Sequence, residues 1–586
     1  QNRRINEQSL QICVEDLNDR DARAVYKNVS YDLINYGRMK MFFHAETFQD
    51  DDMVIDGDVN AFIRLGTDFD ENYYEIEVPL ELTRNVSGSS DEIRRQVWPE
   101  NNEIDVSINE LLGIKSERNR ANLAENIPYS VPSNDNRYTF TVKGRPDLSS
   151  VQVLMIGVRN PGDDDTSPKS VCIWANELRV TDFDSNAGWA ANARVSTKLA
   201  DLGTISASTR YTSIGFGGIQ QRISERSRAE TTQYDISANL NLEKFLRPDK
   251  TGLVVPMFVS YENTRVTPQF DPLDPDVPLE ASLEAFDSEE ERERYRRIVE
   301  DRTTRRSINF TNVRKEKVSQ DAKSNIYDIE NFSFSYAYSD RVSSNVTTQT
   351  LLNKTISGGI NYNYSPNALS IQPFEKSEKL SSPYFKLLKD FNFSPIPSNF
   401  SFSTNLRRDF RLTQFYNNDL TTDGVEPLFE KNFTFVRNYS MRWDITKSLG
   451  LTYNATANAV IDEPVGIIEG DINTEAERQF IWDQILSLGR MKNFNQNIQA
   501  NYALPLDKIP FTDWLQTDVR YAVGYGWIAG AIDQGVDTPD SLFFGNLINN
   551  QRTIGLNSRV DMNKLYNKVT FLKNANTPPA QGEKIS

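Results

Sequence analysis

With 586 residues, 38% of them hydrophobic, and a formal net charge of -17, the chain is long enough for several domains. It holds no run resembling the roughly 20 apolar residues of a membrane helix, so a membrane would have to be crossed with strands. The acidic balance disfavours a nucleic-acid partner, because displacing counterions from phosphates takes clustered Lys and Arg.

Gln1 opens the chain without an initiator Met, n-region, h-region or small-residue cleavage site, and the chain reads as a mature or internal piece of something larger. Residues 1 to 187 carry short apolar runs separated by charge. Met39 to Phe43, Ala61 to Leu65, Tyr73 to Val78, Tyr138 to Val142, Val151 to Val158 and Val171 to Trp174 are strand candidates bounded by Asp, Asn, Gly and Pro clusters. This spacing, with its dense charge, predicts a water-soluble, jelly-roll-like antiparallel β-sandwich; beside a barrel such a domain is expected to cap or line it. Cys13 and Cys172 are either a disulfide of an oxidising compartment or two unpaired thiols. His44, the single histidine, is read as packed or hydrogen-bonded structure at a strand end.

From Gly188 onward the pattern changes to long dyad repeats. Trp189, Ala191, Ala193, Val195 and Leu199 oppose Asn192, Arg194, Ser196 and Lys198; Ile205, Ala207 and Tyr211 oppose Ser206, Ser208 and Arg210. Leu449, Leu451, Tyr453, Ala455, Ala457, Ala459 and Ile461 oppose Thr452, Asn454, Thr456 and Asn458. The same phase recurs in Tyr234 to Leu242, Phe332 to Tyr338, Ile360 to Tyr364, Phe433 to Ile445, Phe494 to Leu504, Leu515 to Trp527 and Ile554 to Met562. Soluble strands usually run about five or six residues, whereas a tilted membrane strand needs roughly 9–11. Residues 188 to 586 are therefore predicted to supply about a dozen strands of a transmembrane antiparallel β-barrel, with long loops. The whole is all-β: a barrel segment preceded by a sandwich, with short helices in the loops.

Ala200 to Leu202, Leu246 to Lys250 and Ser339 to Val342 read as short links. Ile214 to Thr231, Arg265 to Ser324, Asp462 to Lys492 and Ala529 to Gln551 read as long ones. Ser365 to Ser398 breaks this rhythm unless Asp390 to Phe393 is a strand end and Ser394 to Ser398 a tight turn. Tyr336, Tyr338, Tyr362, Tyr364, Tyr439, Trp443, Tyr525 and Trp527, near strand ends on the apolar phase, suit an interfacial girdle. Ser288 with Glu291 predicts a solvated helix to about Arg302. Thr474 with Glu477 predicts a helix carrying Phe480, Ile481, Ile485 and Leu488 up to Gly489, packing within its own protein.

Signals for catalysis are weak, and no catalytic, cofactor or metal residue is assigned. A histidine triad or histidine zinc site has only His44 to draw on. Gly215, Gly217 and Gly218 lack the spacing and strand-to-helix context of a dinucleotide loop. Asp163, Asp164 and Asp165, and Asp271, Asp274 and Asp276, lack the spacing and closing Glu of an EF-hand, and are read as solvated turns.

At the junction of the two regions, Ile173-Trp174-Ala175-Asn176-Glu177-Leu178-Arg179, Asp182-Phe183-Asp184 and Gly188-Trp189-Ala190 resemble the SprA/Sov family, the outer-membrane translocons of the type IX secretion system in Bacteroidetes. Met39 to Glu46, Thr267 to Pro275 and Asp390 to Pro397 are similar as well. The resemblance implies a very large single-chain outer-membrane barrel, linked to gliding motility, that passes folded cargo proteins outward. It implies a lateral opening covered by a PorV-like partner barrel or closed by a periplasmic plug protein, and an energy supply from an inner-membrane motor. It also implies cell-surface loops and periplasmic turns in the lipid bilayer. A dozen strands are too few for so wide a pore, which again marks the chain as part of a larger one. The rival expectation is a cell-surface adhesin, in which the sandwich grips a glycan and the barrel is an anchor. No cofactor and no enzymatic activity are expected.

Overall fold

The computed structural model describes residues 9–48, 54–162, 166–184, 187–222, 225–318, 325–366, 369–467, 475–530 and 545–576. Its first ten strands are β1 (Leu10–Leu17), β2 (Ala22–Tyr31), β3 (Tyr36–Thr47), β4 (Asn60–Gly66), β5 (Tyr73–Pro79), β6 (Glu103–Ser107), β7 (Tyr129–Pro132), β8 (Thr139–Lys143), β9 (Val151–Arg159) and β10 (Lys169–Phe183). They form a four-stranded sheet in the order β1-β10-β3-β6 and a six-stranded sheet in the order β2-β9-β4-β5-β8-β7. Met39, Met41, Phe43 and Ala45 alternate along β3 and are all at most 3% exposed. They share one core with Ile63, Ile76, Phe140 and Val158 of the other sheet, each such burial contributing about 1.5–3 kcal/mol. Cys13 lies directly across from Cys172 on β1 and β10, and the two form a disulfide with Cα atoms 4.0 Å apart. Two helices not anticipated from sequence, α1 (Ser90–Val97) and α2 (Ile108–Arg120), sit in the connections. The first begins at a capping box formed by Ser89 and Glu92.

Fourteen further strands make one sheet. They are β11 (Ala190–Leu199), β12 (Gly203–Thr212), β13 (Ala229–Asn241), β14 (Leu253–Val254), β15 (Pro256–Pro268), β16 (Asp301–Lys315) and β17 (Phe332–Ser344). β18 (Thr348–Tyr364), β19 (Asn399–Phe415), β20 (Leu428–Asp444), β21 (Leu449–Val460), β22 (Arg490–Leu504), β23 (Leu515–Ile528) and β24 (Leu547–Val560) complete it. Apart from the short β14, which pairs with β16, each strand hydrogen-bonds to its sequence neighbour in an unbroken antiparallel meander. Among the described residues, β11 and β24 have no further partner, so the sheet is a wall with two free edges. Its links carry α3 (Pro248–Thr251), α4 (Leu279–Glu284), α5 (Glu289–Val299), α6 (Lys386–Lys389), α7 (Glu475–Leu486), α8 (Met562–Tyr566) and α9 (Thr570–Asn576).

Several expected boundaries move. The long link placed at Arg265 to Ser324 contains β16, whose Arg302, Thr304 and Arg306 stand on the apolar phase and hide the alternation. Ser339 to Val342 lies inside β17, and the turn falls at 345–347, where Asn345 exchanges backbone hydrogen bonds with Thr348. Phe393 makes an isolated bridge to Ile371, and β19 starts only at Asn399. The helix capped by Ser288 stops at Val299, because Glu300 is extended and Asp301 begins β16. Thr474 lies outside the described residues, while α7 stands where the apolar stripe placed a helix.

Successive links alternate between two rims. One carries 184–189, 213–228, 269–300, 345–347, 416–427, 461–489 and 529–546; the other carries 200–202, 242–255, 316–331, 365–398, 445–448, 505–514 and the segment after β24. The chain enters the wall from the sandwich through 184–189, so the sandwich stands at the first of these, the near rim.

Candidate functional site

Register carries each phase across the wall. Tyr364, Phe400, Met441, Tyr453, Ile498 and Val523 are successive cross-strand partners from β18 to β23. One residue away, Asn363, Ser401, Ser440, Asn454, Asn497, Gly524 and Gln551 form the matching row on the opposite face. Along this row, from β18 to β23, one face of the wall is apolar and aromatic and the other is built of amides, hydroxyls and glycine; on β24 the apolar row meets Arg552. On the polar face the Asn458 side-chain amide donates to Asn493 Oδ1 at 2.6 Å, and Thr456 Oγ1 donates to Asn438 Oδ1 at 2.9 Å.

The apolar band has margins. Phe433 to Trp443 on β20 runs about 33 Å along the strand, a length that at the strand tilt general to membrane barrels would span an apolar band of about 25 Å. At the near-rim margin, Arg306 Nε donates to both oxygens of the almost buried Asp340, each at 3.1 Å. Asp340 is itself the cross-strand partner of Lys354 on β18. On β19 and β20, Arg408 Nε donates to Glu463 at 2.6 Å and Lys431 Nζ to the Pro464 carbonyl at 2.6 Å. At the far-rim margin, Trp443 Nε1 donates to the Ser394 carbonyl at 2.8 Å. Within the band, Arg437 breaks the phase: it is buried, with its guanidinium 5.0 Å from the Phe435 ring centre. Beside it, Ile481 and Ile485 of α7 pack on Phe435, Ala459 and Ile461.

The junction of sandwich and wall is the second part of the site. In the link between β15 and β16, Asp271 accepts from Tyr295 of α5 at 2.6 Å and from the Leu273 amide at 2.9 Å, which fixes the Phe270 to Pro275 turn. Asp274 then pairs at 2.9 Å with Lys115 of α2, whose side chain is 0% exposed and also donates to the Pro146 carbonyl at 3.1 Å. Asp276 Oδ2 accepts from the Leu148 amide at 2.7 Å. Burial pushes the Asp276 carboxyl up to about 7 against the opposing pull of Lys115, and burial likewise raises the Tyr295 and Tyr74 hydroxyls. The solvated-turn reading of Asp271, Asp274 and Asp276 is therefore corrected: Asp271 and Asp276 are 1% and 2% exposed and bonded. Alternation and turn chemistry could not reveal this, because the groups that meet Asp274 and Asp276 are Lys115 of α2 and the Leu148 amide, more than 120 residues upstream. Arg228, in another near-rim link, pairs with Asp32 of the sandwich.

The remaining sequence candidates are structural. His44 Nδ1 lies 2.7 Å from the Val97 carbonyl, and the ring stands 4.9 Å from Trp174 and 5.7 Å from Trp98. In the segment Ile173 to Arg179 the β10 register shifts between Asn176 and Arg179, with Glu177 at φ 53. Gly188 is obligatory for space, since a Cβ there would meet the Gly215–Phe216 backbone, and the Trp189 ring lies 4.5 Å from that of Tyr211 at a tilt of 35°. Asp163, Asp164 and Asp165 lie outside the described residues. Among the described residues no group of three or more His, Cys, Asp or Glu is placed to hold a metal ion.

Residues 1–283 match the family model SprA_N, described as motility related/secretion protein. The match takes in the sandwich, the wall as far as β15 and the docking turn at Asp271 to Asp276. Among curated proteins none matches the chain.

Proposed function

We propose, from the match of residues 1–283 to the SprA_N family of motility related/secretion proteins, that the chain forms part of the wall of an outer-membrane translocon of the type IX secretion system. The observation that carries this reading is the register that holds apolar and aromatic rows on one face against amide and hydroxyl rows on the other across β18 to β23, with charged side chains such as Arg306, Arg437 and Arg552 interrupting the apolar phase of the wall. In this reading the apolar face meets the bilayer or a partner barrel. The polar face lines a wide hydrated conduit whose side chains solvate passing proteins without an apolar surface to retain them. The free edges along β11 and β24 are where further strands complete the barrel.

The sandwich is read as jelly-roll-like: first strand beside last in one sheet, second beside next-to-last in the other, each continuing in the order of such folds. It caps the near rim, whose long links lie at the cell surface, and the far rim faces the periplasm. A bonded Cys13–Cys172 pair suits either compartment. The chain performs no covalent chemistry and needs no cofactor; a PorV-like barrel and a periplasmic plug protein are its proposed partners, and the energy comes from an inner-membrane motor.

The test is a photo-crosslinker placed at Asn454 or Asn497 on the polar phase and at Tyr453 or Ile498 on the apolar phase, with a secretion substrate stalled in passage. Crosslinks to cargo from the polar phase alone support conduction. Glycan binding by the sandwich, with secretion unaffected by blocking the polar face, would replace it with the adhesin reading.

A further inference from the structure

We propose that the far rim carries an interfacial collar, residues 383–391 together with Phe511, that lies in the headgroup layer and engages anionic phospholipid. The inference rests on the reading of the apolar face as bilayer-facing and assigns a lipid partner to one stretch of its margin.

Three observations carry it. The first is exposure: Tyr384, Leu388 and Phe511 are 67%, 51% and 73% exposed, and Phe385 and Phe391 stand beside them, exposed as well. They belong to two different links. These are held together by the Lys508–Asp390 ion pair at 3.2 Å and by the Tyr384 and Phe511 rings at 6.1 Å, so the apolar groups form one patch.

The second is continuity. The segment after Asp390 is fastened to the apolar face through Trp443, whose ring nitrogen donates to Ser394, and Trp443 is the last large residue of that phase on β20. The collar therefore begins where the wall's apolar band ends, the depth at which Tyr, Trp and short amphipathic segments settle in a bilayer.

The third is charge. In a chain of net charge -17, the stretch Lys379 to Lys389 holds three lysines, Lys379, Lys386 and Lys389, between Glu378 and Asp390, and Asp390 is paired with Lys508. Lysines interleaved with Tyr384, Phe385 and Leu388 lay their stems over apolar surface and lift their ammonium groups toward phosphate. A protein partner would be expected to bury such a patch under a matching surface; alternating lysines and single apolar side chains match the mixed chemistry of a headgroup layer.

The experiment uses the full chain reconstituted in phosphatidylethanolamine vesicles with and without phosphatidylglycerol. Cys13 and Cys172 are bonded to each other, so an introduced cysteine is the sole free thiol. A polarity-sensitive dye is placed at Tyr384→Cys, at Phe511→Cys and, as a reference in the wall, at Phe400→Cys. The expected result is quenching of both collar dyes by quenchers borne on lipid headgroups, with little quenching by aqueous iodide. The preference for phosphatidylglycerol should fall about fivefold with each of Lys379, Lys386 and Lys389 changed to Gln. Free access of iodide to the collar dyes overturns the inference, as does shielding from both quenchers, which marks a protein cover. Failure of quenching at Phe400→Cys by quenchers borne on the lipid acyl chains overturns the bilayer reading of the wall itself, so the two failures are distinguishable.

Discussion

Lys115 and Asp274 join the two halves of the molecule: a wholly buried lysine of a sandwich helix holds, at 2.9 Å, an aspartate from a link between two wall strands. Neither charge is stable alone in such a setting, since removing one partner of a buried pair leaves the other desolvated and uncompensated. The pair therefore fixes where the sandwich sits, whatever its net contribution to stability.

Asp274→Asn should loosen the sandwich from the near rim at a cost of about 3–5 kcal/mol, because the wholly buried Lys115 is left without its anion. Lys115→Met should cost less, since Asp274 is part-exposed and keeps the Asn119 amide, and the double variant should cost less than the sum of the two. Limited proteolysis between Phe183 and Ala190, together with thermal unfolding of the four proteins of the cycle, checks this. Additive effects would show that the pair is not coupled.

The docking turn should respond to pH through Asp276. Its folded pKa is raised from 3.8 to about 7 by burial, so the folded state binds more protons than the unfolded state between those values. The contribution of this group to stability is then fully present below about pH 4 and lost as pH rises toward 7. Asp276→Asn should flatten that portion of the profile and raise the unfolding temperature at pH 8. An unchanged slope between pH 4 and 7 in the variant would assign the dependence to other groups.

Phase decides tolerance in the wall. Arg at Tyr439, next to the midplane of the band, should cost roughly 2–4 kcal/mol and at Met441, nearer the margin, less, whereas Arg at Asn438 or Ser440, on the polar face, should be mild. Unfolding in urea from lipid vesicles measures both, and equal penalties on the two phases would remove the assignment of faces.

The Cys13–Cys172 bond closes a loop of 159 residues between adjacent strands of the four-stranded sheet. Replacing both by Ala should lower the stability of the sandwich by about 2–5 kcal/mol. The wall strands should be unaffected, as read by backbone hydrogen exchange resolved along the chain.

Features that are periodic and local can be read from the order of residues. Strand phase is written in every second residue, so the two faces of the wall and the core face of Met39 to Ala45 are legible before any fold is known. Helix α7 is likewise legible, since its stripe of Phe480, Ile481 and Ile485 follows helical spacing. Legibility failed at β16, where Arg302, Thr304 and Arg306 occupy the apolar phase. Those side chains are accommodated because Glu300 receives Arg302 and Asp340 receives Arg306, and Asp340 lies on a neighbouring strand. Asp271, Asp274 and Asp276 mark the other limit, because in sequence they have the look of any solvated turn. Whether a carboxylate meets water or a buried lysine depends on which surface is folded against it, and that surface, α2, is brought there by the pairing of strands far apart in the chain. Burial and ion pairing are properties of distance in space; alternation is a property of distance along the chain, and a linear string of residues records only the second.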